Sequence, residues 1–324
     1  MSLRKAVECI KRNKHFLISS HTNLEGDALG SELAFYLLLK KLGKSAVIVN
    51  EDDVPYGYDF LPGKDIIRRY KDNMKVPDFD CFAVLDCSGL RRTGEVYRLN
   101  LKAKKPVLNI DHHISNERFG ALNWVEPDAS SCAEMVYKLY KKLGIPFDKD
   151  SATLLYTGLL ADSGSFRYSN TTSFTHKAAA ELLRYGLDVV YIYKKVYEEV
   201  PFEDMRLLTK ILPGVRREDK GKIIWCEIKS SLLRNKKLSF DLSEHILTFA
   251  RAIKDMEVAV LFKENLGVKN EIRVNLRSQG AVDVNKIAQC FGGGGHKAAS
   301  GATIKGKIEQ VRRRVLAKIR ESLK

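Results

Sequence analysis

Short apolar runs recur through the first half of the chain, and each gives way abruptly to polar residues. Phe16-Leu17-Ile18-Ser19-Ser20 precedes His21, Ala46-Val47-Ile48-Val49 follows, Cys81-Phe82-Ala83-Val84-Leu85 ends at Asp86, and Val107-Leu108-Asn109-Ile110 ends at Asp111-His112-His113. Runs this continuous predict strands buried on both faces, as in a parallel sheet. Between them a 3.6-residue apolar period predicts helices from about Ala28 to Leu42, stopped by Gly43, and over Ser131–Leu143, Asp150–Leu160 and Thr175–Tyr185. Strand, polar loop and helix in alternation describe an α/β domain with helices on both faces of a parallel sheet. The stretch from Asp188 to Leu212 is amphipathic and charged and closes at Pro213-Gly214, which predicts a connecting helix and a hinge. Beyond it, Lys222–Ile228, Glu257–Phe262 and Glu271–Arg277 predict strands of a smaller mixed α/β domain. Ile308, Val311, Val315, Ile319 and Leu323 share one face of a last helix, which leaves Arg312 to Arg314 on its wet side. The expected division is 1–187, a linker helix 188–214, and 215–324.

A length of 324 residues agrees with two domains, and 44% hydrophobic with 29% charged residues describes a water-soluble globular chain. No apolar run is long enough to span a bilayer, and Met1–Lys14 lacks the apolar centre of a secretory signal, so a cytoplasmic protein without a membrane partner is expected. The six cysteines are scattered with no C-x-x-C pair, which predicts buried thiols rather than bridges or a zinc site. A formal charge of +15 favours an anionic partner. Basic clusters such as Lys102-Ala103-Lys104-Lys105, Arg234-Asn235-Lys236-Lys237 and Arg312-Arg313-Arg314 are expected to be solvated faces.

The chemistry gathers where the predicted strands end. His21, Glu25, Asp27, Asp86, His112 and Asp162 all fall at strand ends or in neighbouring loops, on the sheet edge where open α/β folds bind ligands. Four carboxylates at one edge repel one another unless a cation neutralises them. An oxygen-rich set with some imidazole and no thiolate suits octahedral Mn²⁺, with Mg²⁺ or Co²⁺ as alternatives, better than tetrahedral zinc. Six ligands, with Asp86 or Asp162 shared, suffice for two metals and for hydrolysis of a phosphate ester. Asp111 stands beside the two imidazoles as the carboxylate that fixes a tautomer. Phe291-Gly292-Gly293-Gly294-Gly295-His296-Lys297 reads as a second anion-binding element, because glycine amides can approach a phosphate unobstructed and His296 adds a donor. Leu276-Arg277-Ser278 offers a guanidinium fork and a hydroxyl for another phosphate oxygen.

Five segments in order, His21-Thr22-Asn23-x-x-Gly26-Asp27-Ala28-x-Gly30-Ser31, Leu85-Asp86-Cys87-Ser88-x-Leu90-x-Arg92-x-Gly94, Asn109-Ile110-Asp111-His112-His113-x-Ser115-Asn116, Gly158-x-x-Ala161-Asp162-Ser163-Gly164-x-Phe166 and Gly292–Gly301, resemble the successive motifs of the DHH phosphoesterase superfamily and its DHH-associated second domain. In length the chain most resembles the nanoRNase and pAp-phosphatase group. The resemblance implies one Mn²⁺ held by His21, Glu25, Asp86 and Asp162, and another held by Asp27, Asp86, His112 and Asp162. It implies that His113 faces the scissile phosphate with Asp86 and Asp162 in catalysis, and that Asp111 supports from behind. It also implies that Arg277, Ser278, Gly293, Gly294, Gly295 and His296 hold the substrate across a cleft between the domains. In place of the family's Pro-Asp the chain has Leu24-Glu25, whose extra methylene displaces the carboxylate by about one carbon-carbon bond and whose missing proline loosens the loop. Cys87 should face away from the metals.

The implied activity is Mn²⁺-dependent hydrolysis of short oligonucleotides or linear dinucleotides to mononucleotides, with pAp as a further substrate, by a monomer or homodimer. A two-domain clamp suits short strands, since long ones need an extended groove with stacking aromatics. Cyclic-dinucleotide hydrolysis is the related alternative. A scaffold that binds nucleic acid without catalysis is the alternative of another class, and the retention of Asp27, Asp86, His112, His113 and Asp162 together argues against it.

Overall fold

The structure is a computed structural model that describes residues 2–233, 242–265 and 267–323. The basic cluster Arg234–Lys237 lies outside the described residues. The chain forms two compact units, Met1–Glu199 and Val200–Lys324.

The first unit runs α1 (Leu3–Arg12), β1 (His15–Ser19), α2 (Gly26–Lys41), β2 (Ser45–Asn50), β3 (Ile67–Arg69), β4 (Cys81–Leu85), a 3-10 segment (Leu90–Val96), α3 (Tyr97–Ala103), β5 (Val107–Asp111), β6 (Leu122–Val125), α4 (Cys132–Leu143), α5 (Lys149–Asp162), α6 (Ser173–Leu183) and α7 (Val189–Tyr197). Its six strands pair in the order β3-β2-β1-β4-β5-β6, and every pairing is parallel. Phe16 and Ile18 pack into the larger apolar cluster with α2, α4 and α5, whereas Leu17, Phe82 and Val84 turn to the opposite face with Val96 and Leu99. That alternation is why the strands read as unbroken apolar runs. Cys87 packs into this second apolar cluster.

Helix α2 is buried along most of its length, and α5 approaches it where side chains are small. A Cβ on Gly30 would meet the Leu154 carbonyl at 2.4 Å, one on Gly26 would meet Ala161 Cβ at 2.7 Å, and one on Gly158 would meet Asp27 Oδ1 at 2.9 Å as well as Ala133 Cβ of α4 at 2.5 Å. The glycines of the first and fourth motifs therefore set the spacing of the helices that carry Asp27 and Asp162. Side chains start the helices: Ser131 accepts from Glu134 N–H at α4, Asp148 and Ser151 form a reciprocal cap at α5, and Thr172 and Thr175 do the same at α6.

The second unit comprises α8 (Phe202–Ile211), β7 (Arg216–Glu218), β8 (Ile223–Ile228), α9 (Ser230–Leu233), α10 (Leu242–Arg251), β9 (Val258–Glu264), β10 (Glu271–Ser278), α11 (Val284–Gln289), β11 (Gly294–Gly295), β12 (Ala299–Lys305) and α12 (Ile308–Ser322). Its mixed sheet has the order β11-β12-β10-β9-β8-β7, with β8 and β9 parallel and the other pairs antiparallel. One face packs on α11 and α12, the other on α8 and α10.

Two findings depart from the sequence-based expectation. The stretch from Asp188 to Leu212 forms two helices, α7 and α8, and Pro201 stands at the start of the second, where its ring cannot continue the first. Arg312 is not simply solvated: its guanidinium pairs with Glu227 and stacks 4.7 Å from the Trp225 ring centre. Arg313 and Arg314 are exposed, as are Lys102, Lys104 and Lys105. All six cysteines are free and five are buried, Cys290 being the exposed one. Among the described residues no helix is long and apolar enough to cross a membrane.

Replacing Gly30 with Ala should force α2 from α5 and lower stability by about 1–3 kcal/mol. The urea midpoint measures it, and an unchanged midpoint would show that the helices have room to spare.

Candidate metal centre

Strands β1, β4 and β5 lie side by side at the centre of the first sheet, and their carboxyl ends deliver His21, Asp86 and the Asp111-His112-His113 triplet to one edge. Chain direction reverses its sideways progress between β1 and β4, the switch point at which open parallel sheets form a ligand crevice. Asp86 occupies a left-handed backbone conformation, φ 50°, which costs an L-residue on the order of 1–3 kcal/mol. Its N–H is held by the Ile110 carbonyl at 2.9 Å.

The Asp86 carboxylate lies between two groups of donors. One oxygen is 3.5 Å from His21 Nε2, and the other is 3.5 Å from His112 Nε2 and 3.6 Å from His113 Nδ1. His112 Nε2 is also 3.6 Å from Asp27 and 3.5 Å from Asp162. His21, Glu25 and Asp86 can converge on one point, and Asp27, Asp86 and His112 on another. Asp162, at the end of α5, joins the second group through His112. The six predicted ligands are thus brought together, and Asp86 is common to both groups.

Backbone groups aim the imidazoles. His21 Nδ1 lies 2.7 Å from the Thr22 carbonyl and His112 Nδ1 lies 3.1 Å from the Ala129 carbonyl, so each Nδ1 donates and each Nε2 is turned toward the carboxylates. His113 Nδ1 is 2.7 Å from Asp111, which Asn116 in turn clasps at 2.5 Å. The amino terminus of α4 holds Asp27, whose oxygens accept Cys132 N–H at 2.6 Å and Ala133 N–H at 2.8 Å, with Ser31 Oγ at 3.1 Å. Asn170 Nδ2 contacts both the Asp162 carbonyl, at 3.1 Å, and its carboxylate, at 3.4 Å. Sequence reasoning missed Ser31, Asn170 and the α4 amides. Ser31 stood in a quoted motif, but no residue type signals a backbone donor.

Glu25 does two things. Its oxygens accept Asp27 N–H at 3.0 Å and Ala28 N–H at 2.9 Å, which caps α2, while Oε1 remains 4.0 Å from His21 Nε2. The extra methylene over aspartate lets the side chain fold back onto its own helix.

Charge is distributed unevenly across the centre. Burial alone would raise Asp86, yet the contacts with His112 and His21 and the charge of His113 hold it well below the usual carboxylate range. Burial likewise opposes the low value of Asp111, about 2, which His113 enforces. Burial, with Asp86 nearby, pushes Asp27 well up, and burial with Asp86 and Asp162 brings Glu25 to about 7. His112 is raised well above an ordinary histidine because Asp162, Asp86 and Asp27 outweigh its burial. Among the described residues, one buried oxygen of Asp86, Oδ1, receives no hydrogen bond. An acidic set with a buried acceptor left over and two imidazoles presenting Nε2 fits a divalent cation.

Behind the edge, buried Glu32 accepts from Asn50 Nδ2 at 2.7 Å, and Asn50 Oδ1 accepts from Ser20 N–H at 3.1 Å and Ser19 Oγ at 3.2 Å. Ser20 Oγ donates to the Leu85 carbonyl at 2.8 Å, so this network braces the residues just before His21 and Asp86.

In the second unit, Gly294-Gly295 forms the edge strand β11 against Gly301 and Ser300. A Cβ on Gly293 would strike the Gly301 carbonyl at 2.1 Å, and one on Gly295 would strike the Ala299 carbonyl at 2.6 Å, so these glycines are required by packing as well. His296 starts a tight turn, its N–H donating to the Ala299 carbonyl at 2.7 Å. Arg277 is paired with Glu244, and buried Ser278 Oγ accepts from Gly280 N–H at 2.9 Å.

Residues 15–159 match the DHH family N-terminal domain, and residues 228–324 match the DHHA1 domain. Over 308 residues the chain is 33% identical to the bifunctional oligoribonuclease and PAP phosphatase NrnA of Thermus thermophilus, covering 94% of this chain and 89% of that one. The chain belongs to the DHH family. This DHH protein is therefore a phosphoesterase. It is also 26% identical over 311 residues to the protein of the same name from Mycoplasma genitalium, covering 94% and 93% of the two chains. A crystal structure of an exopolyphosphatase-related protein from Bacteroides fragilis superposes with a TM-score of 0.85 at 25% identity, covering 99% of this chain and 95% of that one.

Glu32 is buried with its carboxyl pushed up to about 8, mainly by burial, against 4.5 when unfolded. The folded state therefore holds this proton more tightly, and its stabilising contribution, complete below pH 4.5, is lost as pH rises to about 8. Urea midpoints of metal-free protein at pH 5 and pH 8.5 should accordingly differ less in Glu32→Gln than in the wild type. Equal differences would mean that Glu32 is ionised in the fold.

Proposed function

We propose that this DHH protein hydrolyses short oligonucleotides and linear dinucleotides to mononucleotides, and 3′-phosphoadenosine 5′-phosphate to AMP, with two Mn²⁺ ions at the sheet edge. The observation that carries this reading is the position of Asp86, whose two oxygens face two separate donor groups. The name shared by the Thermus and Mycoplasma relatives supports the choice of substrates.

His21, Glu25, Asp86 and Asp162 would hold one ion; Asp27, Asp86, His112 and Asp162 would hold the other. When bound, such a pair supplies Lewis acidity and lowers the pKa of water at the site. The remaining work belongs to the protein. The carbonyls of Thr22 and Ala129 keep both Nε2 atoms directed at the carboxylates. The α4 amides keep Asp27 in place against the repulsion of Asp86. Asp111 fixes His113 through Nδ1, which leaves Nε2 to face the phosphate. On the second unit, Gly293, Gly294, Gly295, His296, Arg277 and Ser278 bind the nucleotide, with Arg277 exchanging Glu244 for a phosphate.

A panel of di- to pentanucleotides, pAp and cyclic dinucleotides, each with Mn²⁺ and with chelator, tests the reading. Metal-dependent release of mononucleotides and AMP is expected; cleavage of none of them would favour the non-catalytic scaffold, and cleavage of cyclic dinucleotides alone would reassign the substrate. Asp86→Ala should lower kcat by about a thousandfold or more while the protein keeps its circular dichroism spectrum. Near-wild-type turnover would remove Asp86 from the shared position.

A further inference from the structure

The second motif contains a cation that the reaction as described leaves unused. Arg92 lies in the 3-10 segment Leu90–Val96 just past β4, and its carbonyl accepts Thr22 N–H at 2.7 Å, which ties it to the residue following His21. Its guanidinium is half-buried, and Nη1 donates to Ser88 Oγ at 3.2 Å. Ser88 is itself buried and stands two residues after Asp86. The positive charge is close enough to act on both His21 and the Cys87 thiol.

Arg277, Arg312 and Arg320 each pair with a carboxylate. Arg92 sits beside the most acidic region of its unit, yet forms no ion pair among the described residues. Its hydrogen-bond partner is a neutral hydroxyl that fixes the fork without consuming the charge. A guanidinium has five donors, so most of its capacity remains for a ligand. Half-burial strengthens such a charge relative to an arginine in water. The ligand chemistry that matches a planar fork next to a divalent-cation site is a phosphate oxygen, which accepts from the fork while its neighbours face the metals.

We propose that Arg92 binds a non-bridging or terminal phosphate oxygen of the substrate and so sets affinity from within the first unit. This rests on the phosphoesterase reading of the same edge. The backbone bond to Thr22 does not involve the side chain, so Arg92→Gln removes the charge and leaves the tether to His21.

Calorimetry on Mn²⁺-loaded protein, titrated separately with AMP and with inorganic phosphate, provides the test, next to Mn²⁺ titrations of the metal-free protein. Arg92→Gln should weaken both anions at least tenfold and raise KM for pAp by a similar factor. Mn²⁺ affinity and the thermal midpoint should stay at wild-type values, and Arg92→Lys should recover part of the loss. Wild-type anion affinity in Arg92→Gln would overturn the proposal. Weakened Mn²⁺ binding would also overturn it, by making Arg92 a support for the metal ligands. If the wild type cleaves neither dinucleotides nor pAp, the substrate assignment fails, yet the phosphate titration still judges Arg92. Phosphate bound equally by both proteins, or by neither, would count against it.

Discussion

A single carboxylate shared between two groups of donors is the constraint on which the first unit depends. Asp86 can face His21 on one side and His112 on the other only because β4 lies between β1 and β5 in a parallel sheet, all three ending at the same edge. An antiparallel neighbour would have sent one donor to the far edge. The left-handed turn at Asp86 carries a conformational cost, which the surrounding strands offset by fixing the Asp86 amide on Ile110. Gathering Glu25, Asp27, Asp86 and Asp162 in one place stores electrostatic repulsion that a cation relieves, so binding and local order are coupled.

Backbone groups carry much of the fine positioning. Two carbonyls orient the imidazoles, and the first two amides of α4 clamp Asp27. Main-chain groups lose little entropy when they bind, because the fold has already immobilised them. Side chains then add a second layer: Asn116 on Asp111, Asn170 on Asp162, Ser31 on Asp27, and the Glu32–Asn50 pair beneath β1 and β4. The close packing of α2 on α5 through Gly26, Gly30 and Gly158 belongs to the same design, since it brings the carriers of Asp27 and Asp162 together.

Several residues serve fold and chemistry at once. Glu25 caps α2 while remaining near His21, so one side chain anchors the helix without leaving the carboxylate cluster. Gly293 and Gly295 are demanded by the approach of β12, whatever they also offer to an anion. The charge on Arg277 is met by Glu244, whereas Arg92, beside an acidic edge, pairs with no carboxylate among the described residues.

The apolar runs and their polar ends were sufficient to predict a parallel α/β unit and to pick out His21, Glu25, Asp27, Asp86, His112 and Asp162 as neighbours at its candidate edge, because a buried parallel strand has one readable signature and its carboxyl ends share one edge. Local sequence also marked Gly43 as the stop of α2, but neither the helix caps nor the glycines that permit close packing. It did not mark β6, a strand of only four residues, nor α1, although α1 buries Ala6, Val7 and Ile10 on one face. Nor could it tell that Arg312 would stack on Trp225, or that α7 and α8 are separate helices. Strand order, which put Asp86 between two imidazoles, and the partners of Asp27, Asp162 and Arg92 were decided by tertiary structure alone. These contacts join segments tens of residues apart through backbone donors and shared burial, and neither leaves a trace in the identity of nearby residues.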